Sequence, residues 1–95
     1  MLDLASPRVI YDVHAESWAY VVADKERYAR LLAWIREQGL DPHDIYRVEV
    51  YLIGCPYARI FAFDLNDEGQ HYMRGEDIAR REPHNVILTC LPPDL

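Results

Sequence analysis

The chain has 95 residues, of which 51% are hydrophobic and 27% are charged, and its formal net charge is -6. This length predicts one domain, and the composition is typical of a globular chain rather than a disordered one. The acidic balance argues against a nucleic-acid binder, because affinity for nucleic acid comes largely from Lys and Arg side chains that neutralise phosphates.

The N-terminal part of the chain predicts a strand followed by an apolar segment. We expect residues 1–8 to form a loose lead-in to a single domain that spans residues 1–95. Alternation of apolar side chains over residues 9–14 predicts a strand. The next segment, residues 18–23, is rich in aromatic and β-branched side chains, which favours a second strand. The alternative is that this segment extends the following helix backwards.

Residues 25–38 predict the main helix of the fold. Asp24 precedes it and is a good N-cap, because its carboxylate can accept from the free amides of the first turn. Gly39 follows it and suits the left-handed backbone with which many helices end. The apolar side chains recur at helical spacing in one stripe, formed by Tyr28, Leu31, Leu32 and Ile35. We expect this stripe to pack on one face of a sheet.

Two alternating segments, residues 45–53 and 57–65, predict a central β-hairpin around the corner Gly54-Cys55-Pro56. One pairing of the two strands sorts the side chains into an apolar inner face and a more polar outer face. Its inner pairs are Val50 with Phe61, Val48 with Phe63, and Tyr46 with Leu65. Its outer pairs are Arg47 with Asp64, Glu49 with Ala62, and Tyr51 with Ile60.

The last third of the chain predicts short elements separated by turns. After the turn signal over residues 66–69, we expect a third strand over residues 70–74 that brings Tyr72 beside Asp64. Residues 75–82 predict a helical turn, and residues 86–91 predict a last strand. The fold class is therefore α+β, with an antiparallel sheet of four to five strands and one main helix packed on one face.

The second half of the chain also resembles a known group of proteins. A β run is followed by Cys-Pro-Tyr-Ala-Arg, by Phe-Asp-Leu-Asn-Asp-Glu-Gly, and by Glu-Pro-His-Asn-Val-Ile-Leu before a closing Leu-Pro-Pro. This order of segments resembles that of small uncharacterised proteins of actinomycetes and their phages or integrative elements. The resemblance implies an accessory protein of a phage or mobile element that binds a host or element-encoded protein. It transfers no catalytic residue.

The residues that could ligate a metal are scattered along the sequence. A structural zinc site normally shows two close pairs of ligands, whereas here the candidate ligands lie far apart. The candidates are His14, His43, His71, His84, Cys55 and Cys90. We therefore expect no metal ligand and no cofactor.

The expected function is non-enzymatic protein binding through the outer face of the sheet, with a homodimer as one form. Aromatic side chains rimmed by charges are typical of protein contact sites. The predicted binding residues are Arg47, Glu49, Tyr51, Ile60 and Tyr72. The opposing prediction is that a second element covers this face.

Two other functions remain open at the level of sequence. One is a thiol-dependent or hydrolytic enzyme centred on Cys55 with a histidine partner. The other is mimicry of nucleic acid, which needs carboxylates in rows. No apolar run approaches the roughly 20 residues that cross a bilayer, so we expect no membrane partner. The N-terminus shows no secretory pattern, and we expect a cytoplasmic protein.

Overall fold

A computed structural model of the chain describes residues 6–93. In chain order the elements are β1 (Arg8–Asp12), α1 (Trp18–Ala23), α2 (Lys25–Glu37), a 3-10 helix (Pro42–Asp44), β2 (Ile45–Tyr51), β3 (Tyr57–Ala62), β4 (Met73–Arg74), β5 (Asp77–Ile78) and β6 (His84–Ile87). The fold class is α+β, as the sequence predicts. A four-stranded antiparallel sheet has the order β1-β2-β3-β6, and β4 and β5 form a second, two-stranded sheet. Residues 1–5 of the predicted lead-in lie outside the described residues, and Arg8 already belongs to β1.

Helix α2 begins and ends close to the predicted residues. The Oδ1 atom of Asp24 accepts a hydrogen bond from the backbone N–H of Arg27 at 3.2 Å, so the predicted N-cap is confirmed. Gly39 has φ of 81°, the left-handed backbone predicted for the end of the helix. The buried side chains of α2 are Leu31, Trp34 and Ile35, whereas Tyr28 and Leu32 are half-buried. The buried face is therefore wider on the Trp34 side than the predicted stripe.

Residues 18–23 form helix α1, so the predicted second strand is wrong and the helical alternative is closer to the structure. Trp18 and Val21 both pack against the core. A helix places residues three apart on one side, whereas a strand would point them to opposite faces. The ring of Trp18 also lies edge-on to Tyr11 and Tyr28, with centroids 4.8 and 5.7 Å away. Packing against the core thus overrides the β-propensity of this segment.

Strands β2 and β3 pair antiparallel as predicted, but in a different register. Val50 lies opposite Ala58 rather than Phe61, and Val48 lies opposite Ile60 rather than Phe63. The strands join through residues 52–56, a longer connection than the predicted corner. The offset is an odd number of residues, so it turns every side chain of β3 over. Phe61 therefore faces away from the helices, and its predicted place in the core is wrong.

The hydrophobic core lies between α2 and the face of the sheet that Val48 and Val50 occupy, which confirms the predicted inner face of β2. On β3 the inward residues are Ala58, Ile60 and Ala62. Two small alanines on this strand leave volume for the large side chains of α2. The core residues are Tyr11, Leu31, Trp34, Ile35, Ile45, Val48, Val50, Ala58, Ile60 and Ala62.

The last third differs most from the prediction. The third strand is reduced to β4, which pairs with β5 instead of joining the main sheet. Gly75 has φ of 69° in the turn between these two strands, so the predicted helical turn over residues 75–82 is wrong.

The place beside the end of β3 is occupied by residues 79–81. The backbone N–H of Asp64 donates to the carbonyl of Ala79, and that of Arg81 donates to the carbonyl of Ala62, both at 2.9 Å. The last strand, β6, lies beside β3 but begins and ends earlier than predicted, so Cys90 follows it rather than lying within it. No helix among residues 6–93 is long and apolar enough to span a bilayer.

Candidate functional site

The two helices lie on the same face of the main sheet, because side chains of both pack in the core that contains Val48 and Val50. The opposite face carries no helix of the described residues. Register and strand alternation place six side chains of interest on it. We call this surface the open face, and define it by Arg47, Glu49, Tyr51, Tyr57, Arg59 and Ile87.

One side of the open face is apolar. Tyr51 and Tyr57 lie opposite each other where the β2–β3 connection begins, and their rings stack with centroids 4.8 Å apart and planes 4° from parallel. Ile87 lies opposite Tyr57 on the edge strand β6, and it is 75% exposed. Ile53, in the adjoining connection, is also exposed. An aromatic pair thus continues into exposed aliphatic side chains.

The other side of the open face is an ion-paired group. The Nη1 atom of Arg47 lies 2.8 Å from Oδ2 of Asp12, and its Nε and Nη2 atoms donate to Oε2 of Glu49 at 3.1 and 2.8 Å. The hydrogen bond to Glu49, opposed in part by burial, raises the pKa of Arg47 above its ordinary value. The Tyr51 hydroxyl donates to Oε1 of Glu49 at 3.4 Å. The charges of this group are therefore satisfied within the molecule.

Arg59 is different. It lies directly opposite Glu49, but the carboxylate of Glu49 is held by Arg47. Arg59 is exposed and makes no ion pair or hydrogen bond with any residue from 6 to 93. Its neighbour on the other side is Asn85 of β6, which carries no charge. The open face thus presents one guanidinium that other molecules can pair with.

The far end of this face is closed by aromatic contacts. The ring of Tyr46 lies 6.1 Å from that of Phe61 and 4.9 Å from that of Phe63, measured between centroids. The guanidinium of Arg80 lies 5.0 Å from the centroid of Tyr46, within range of a cation–π contact. The accessible apolar surface is therefore at the opposite end, near Tyr57 and Ile87.

Three of the five predicted binding residues lie together as expected, namely Arg47, Glu49 and Tyr51. The predicted place of Ile60 on the outer face is wrong, because the register turns it into the core, where it is 1% exposed. Tyr72 belongs to a different cluster. Its hydroxyl donates to Oδ2 of Asp64 at 2.5 Å, so the predicted neighbours meet through side chains rather than strand pairing.

Sequence reasoning missed three residues of the open face: Tyr57, Arg59 and Ile87. The first two alternate along β3 with the inward alanines, and this alternation is visible in the sequence. It is overlooked when the bulkier set of side chains on β3 is taken as the inner one. Ile87 could be placed only after the pairing of β6 with β3 was known.

A cleft of about 520 Å³ lies at the edge of the sheet where β1 meets the two helices. Its lining includes the apolar residues Trp18 and Val21 together with Arg8 and Arg27. Arg47 lines the cleft as well, so the cleft adjoins the ion-paired side of the open face.

Two of the four histidines come together, although they are distant in sequence. The rings of His43 and His71 stack with centroids 5.0 Å apart, and Nε2 of His71 lies 2.9 Å from Oδ1 of Asp44. Two histidines that are scattered in the sequence are thus brought together with Asp44, and the donor atoms of the three side chains lie within 4.8 Å of one another.

Among the described residues, neither cysteine thiol is hydrogen-bonded to these histidines. Cys55 is exposed and makes no hydrogen bond with a histidine in the described part of the chain. The Sγ atom of Cys90 lies 3.7 Å from Oε2 of Glu37 and 3.8 Å from Nε2 of Gln38. The thiol-enzyme alternative gains no supporting contact from either cysteine.

Comparisons with models of protein families, with curated proteins and with solved structures found no match. Function is therefore inferred from the residues and the geometry of this chain.

Proposed function

We propose that the protein acts without catalysis, by binding another protein through the open face. The observation that carries this proposal is the exposure of Ile87, 75%, beside the stacked rings of Tyr51 and Tyr57. A large aliphatic side chain on a regular strand contributes nothing to the core when it faces water. Together with the two adjacent aromatic rings, it supports binding, because interface centres are enriched in tyrosine and arginine.

The partner that fits this surface presents apolar side chains and one carboxylate. The apolar side chains pack on Tyr51, Tyr57 and Ile87, and the carboxylate pairs with Arg59. Arg59 has no ion pair among the described residues, so a carboxylate from outside gains a charge-assisted, bidentate hydrogen bond without displacing an internal one.

A second copy of the chain fits this surface less well. Each copy carries a formal net charge of -6, so two copies repel each other. The carboxylate of Glu49 is already held by Arg47, so it is not offered to the Arg59 of another copy. We therefore favour a different protein over a homodimer. The resemblance to phage and mobile-element proteins adds the proposal that this partner is a host or element-encoded protein.

Differential capture from an extract of the source cells tests this proposal. The bait is the tagged full-length chain, compared with Ile87→Asp and Arg59→Glu. The matched controls are Tyr20→Asp, at an equally exposed position on α1 (81%), and Arg27→Glu on α2. We expect at least one protein that the wild type and both controls retain and that both open-face variants lose. If no captured protein shows this pattern while circular dichroism reports all variants folded, the proposal is wrong.

Light scattering tests the choice of partner. We expect a monomer in solution. A dimer that Ile87→Asp dissociates would overturn the proposed partner and identify the occupant as a second copy. Substituting Cys55→Ser should leave partner binding unchanged, because Cys55 lies outside the open face. Loss of binding in Cys55→Ser would contradict binding through the open face.

A further inference from the structure

We propose that His43, Asp44 and His71 form a binding site for a divalent transition-metal ion such as Zn²⁺. Each of the three side chains offers one donor atom, and these atoms all lie within 4.8 Å of one another. The site is separate from the open face, and the proposal is independent of the protein-binding function.

The spacing of the donor atoms is close to that of a metal site. Ligands about 2.0–2.1 Å from a tetrahedral Zn²⁺ lie roughly 3.4 Å from one another. The Nε2 atom of His71 and Oδ1 of Asp44 are already 2.9 Å apart, joined by a hydrogen bond. The three donor atoms lie within 4.8 Å of one another, so His43 has to turn and bring its donor nitrogen closer for the three donors to reach a common ion. Its side chain is exposed and makes no hydrogen bond among the described residues.

The backbone that carries His43 and Asp44 is held in place. Asp41 caps the 3-10 helix, its Oδ1 accepting from the backbone N–H of His43 at 3.0 Å. Pro42 is buried, and its carbonyl accepts a hydrogen bond from the Tyr11 hydroxyl at 3.2 Å. Because this backbone is fixed before the ion arrives, binding costs less conformational entropy than it would on a mobile segment.

The third ligand is fixed to the same framework. The backbone N–H of Phe63 donates to the carbonyl of Asp44 at 2.8 Å, and the Phe63 ring lies 5.0 Å from that of His71 between centroids. A β-bridge joins His71 to Leu65. The segment after β3 therefore connects both halves of the site, although they are far apart in sequence.

The donor set selects the class of ion. Two imidazoles and one carboxylate suit zinc, nickel, copper or ferrous iron, whereas magnesium and calcium prefer oxygen ligands throughout. Three protein ligands leave at least one coordination position for water. The two histidine rings are only 12° from parallel, so His43 must rotate for its lone pair to converge with that of His71. Metal binding therefore unstacks this pair.

Isothermal titration of the reduced full-length protein with Zn²⁺ tests the site. We expect one ion per chain, with affinity reduced at least about tenfold in His43→Gln and in His71→Gln. The matched controls are His14→Gln and His84→Gln, two exposed histidines outside the cluster, and Cys90→Ser, which removes the thiol beside Glu37. All three should bind as the wild type does. A second readout is the ring resonances of His43 and His71 in NMR spectra, which we expect to shift on addition of Zn²⁺.

Two outcomes would overturn the proposal. One is the absence of saturable binding up to about 1 mM Zn²⁺, which corresponds to a negligible affinity for a three-ligand site. The other is unchanged affinity in His43→Gln. This variant remains decisive even if His71→Gln fails to fold, because the His43 side chain is exposed and makes no hydrogen bond within residues 6–93.

Discussion

Arg47 donates two hydrogen bonds to a single carboxylate oxygen of Glu49, from Nε at 3.1 Å and from Nη2 at 2.8 Å. The two residues lie two positions apart on β2, so their side chains share one face of the sheet. This pairing along the strand takes Glu49 away from Arg59, which lies across from it on β3. Because Arg47 is paired with Glu49, Arg59 is the arginine that the open face offers to a partner.

Substituting Arg47→Met should lower the free energy of unfolding by about 1–3 kcal/mol, because it leaves the half-buried carboxylates of Asp12 and Glu49 without their cation. This loss of stability lies between the loss expected for an exposed ion pair and the loss expected for a buried one. Chemical denaturation followed by circular dichroism measures it.

Arg59→Met is the matched control on the same face. It should change the free energy of unfolding by no more than about 0.5 kcal/mol, since Arg59 has no partner to lose among the described residues. Equal destabilisation by the two substitutions would show that the ion-paired group contributes no more than an isolated surface arginine.

The register of β2 and β3 predicts that aspartate substitutions at neighbouring residues of β3 have opposite effects on folding. Ile60→Asp places a charge in the core and should cost about 4 kcal/mol or more, enough to unfold the domain, and Val48→Asp should do the same. Phe61→Asp, on the other face beside Arg47, should leave the domain folded at a cost of about 1–2 kcal/mol. Thermal melts of the three variants separate these cases. A folded Ile60→Asp together with an unfolded Phe61→Asp would mean that β3 faces the other way.

The sequence predicts strands β2 and β3 well but not which face of β3 is buried. Along this strand, Tyr57, Arg59 and Phe61 alternate with Ala58, Ile60 and Ala62, and both sets contain apolar side chains. Bulk favours the phenylalanines for the core, and that inference fails because α2 places Trp34 in the core, and the inward residues of β3 are two alanines and one isoleucine. The volume that a facing helix occupies cannot be read from the strand itself.

Asp64 should give the protein a component of stability that depends on acid pH. The hydrogen bond from the Tyr72 hydroxyl, opposed in part by desolvation, lowers the pKa of Asp64 below its ordinary 3.8. A carboxyl group whose pKa is lower in the folded state contributes stability that is present above the unfolded value and is lost as the pH falls through the folded value.

Tyr72→Phe tests this dependence. It should raise the pKa of Asp64 and flatten the loss of stability below pH 3.8. NMR titration of the Asp64 carboxyl, with denaturation at several acid pH values, measures both effects. An Asp64 pKa that does not move in Tyr72→Phe would contradict the stated cause.

Tyr11 should give the protein a component of stability that depends on alkaline pH. Burial, with a smaller effect from Tyr28, raises the pKa of Tyr11 from 10.0 to about 12. Because the folded pKa is the higher one, the contribution to stability is complete below pH 10 and is lost as the pH rises from 10 to about 12. Tyr11→Phe should flatten this loss and cost about 1 kcal/mol at neutral pH through the hydrogen bond to Pro42.

Ultraviolet absorbance during an alkaline titration provides the measurement. The tyrosine that ionises last in the wild type should be missing from the titration of Tyr11→Phe. If the variant and the wild type differ instead by a tyrosine that ionises near pH 10, Tyr11 is not shielded by the core.

The candidate sites show the same limit of sequence reasoning as the fold. Arg47, Glu49 and Tyr51 could be placed together because they alternate on one strand, a relationship that requires only local geometry. The histidine group could not be found in this way, since His43 and His71 meet only because the chain after β3 turns back past the 3-10 helix. Contacts between distant segments depend on the whole fold.

Site-specific photo-crosslinking tests the open face most directly. A photoreactive amino acid replaces Ile87 in one protein and Tyr20 in another, two exposed positions (75% and 81%) on the open face and on α1 respectively. After irradiation in an extract of the source cells, we expect a discrete cross-linked partner from position 87 and none from position 20. Arg59→Glu in the same chain should abolish this product. The same products from both positions, or a product from position 20 alone, would contradict binding through the open face.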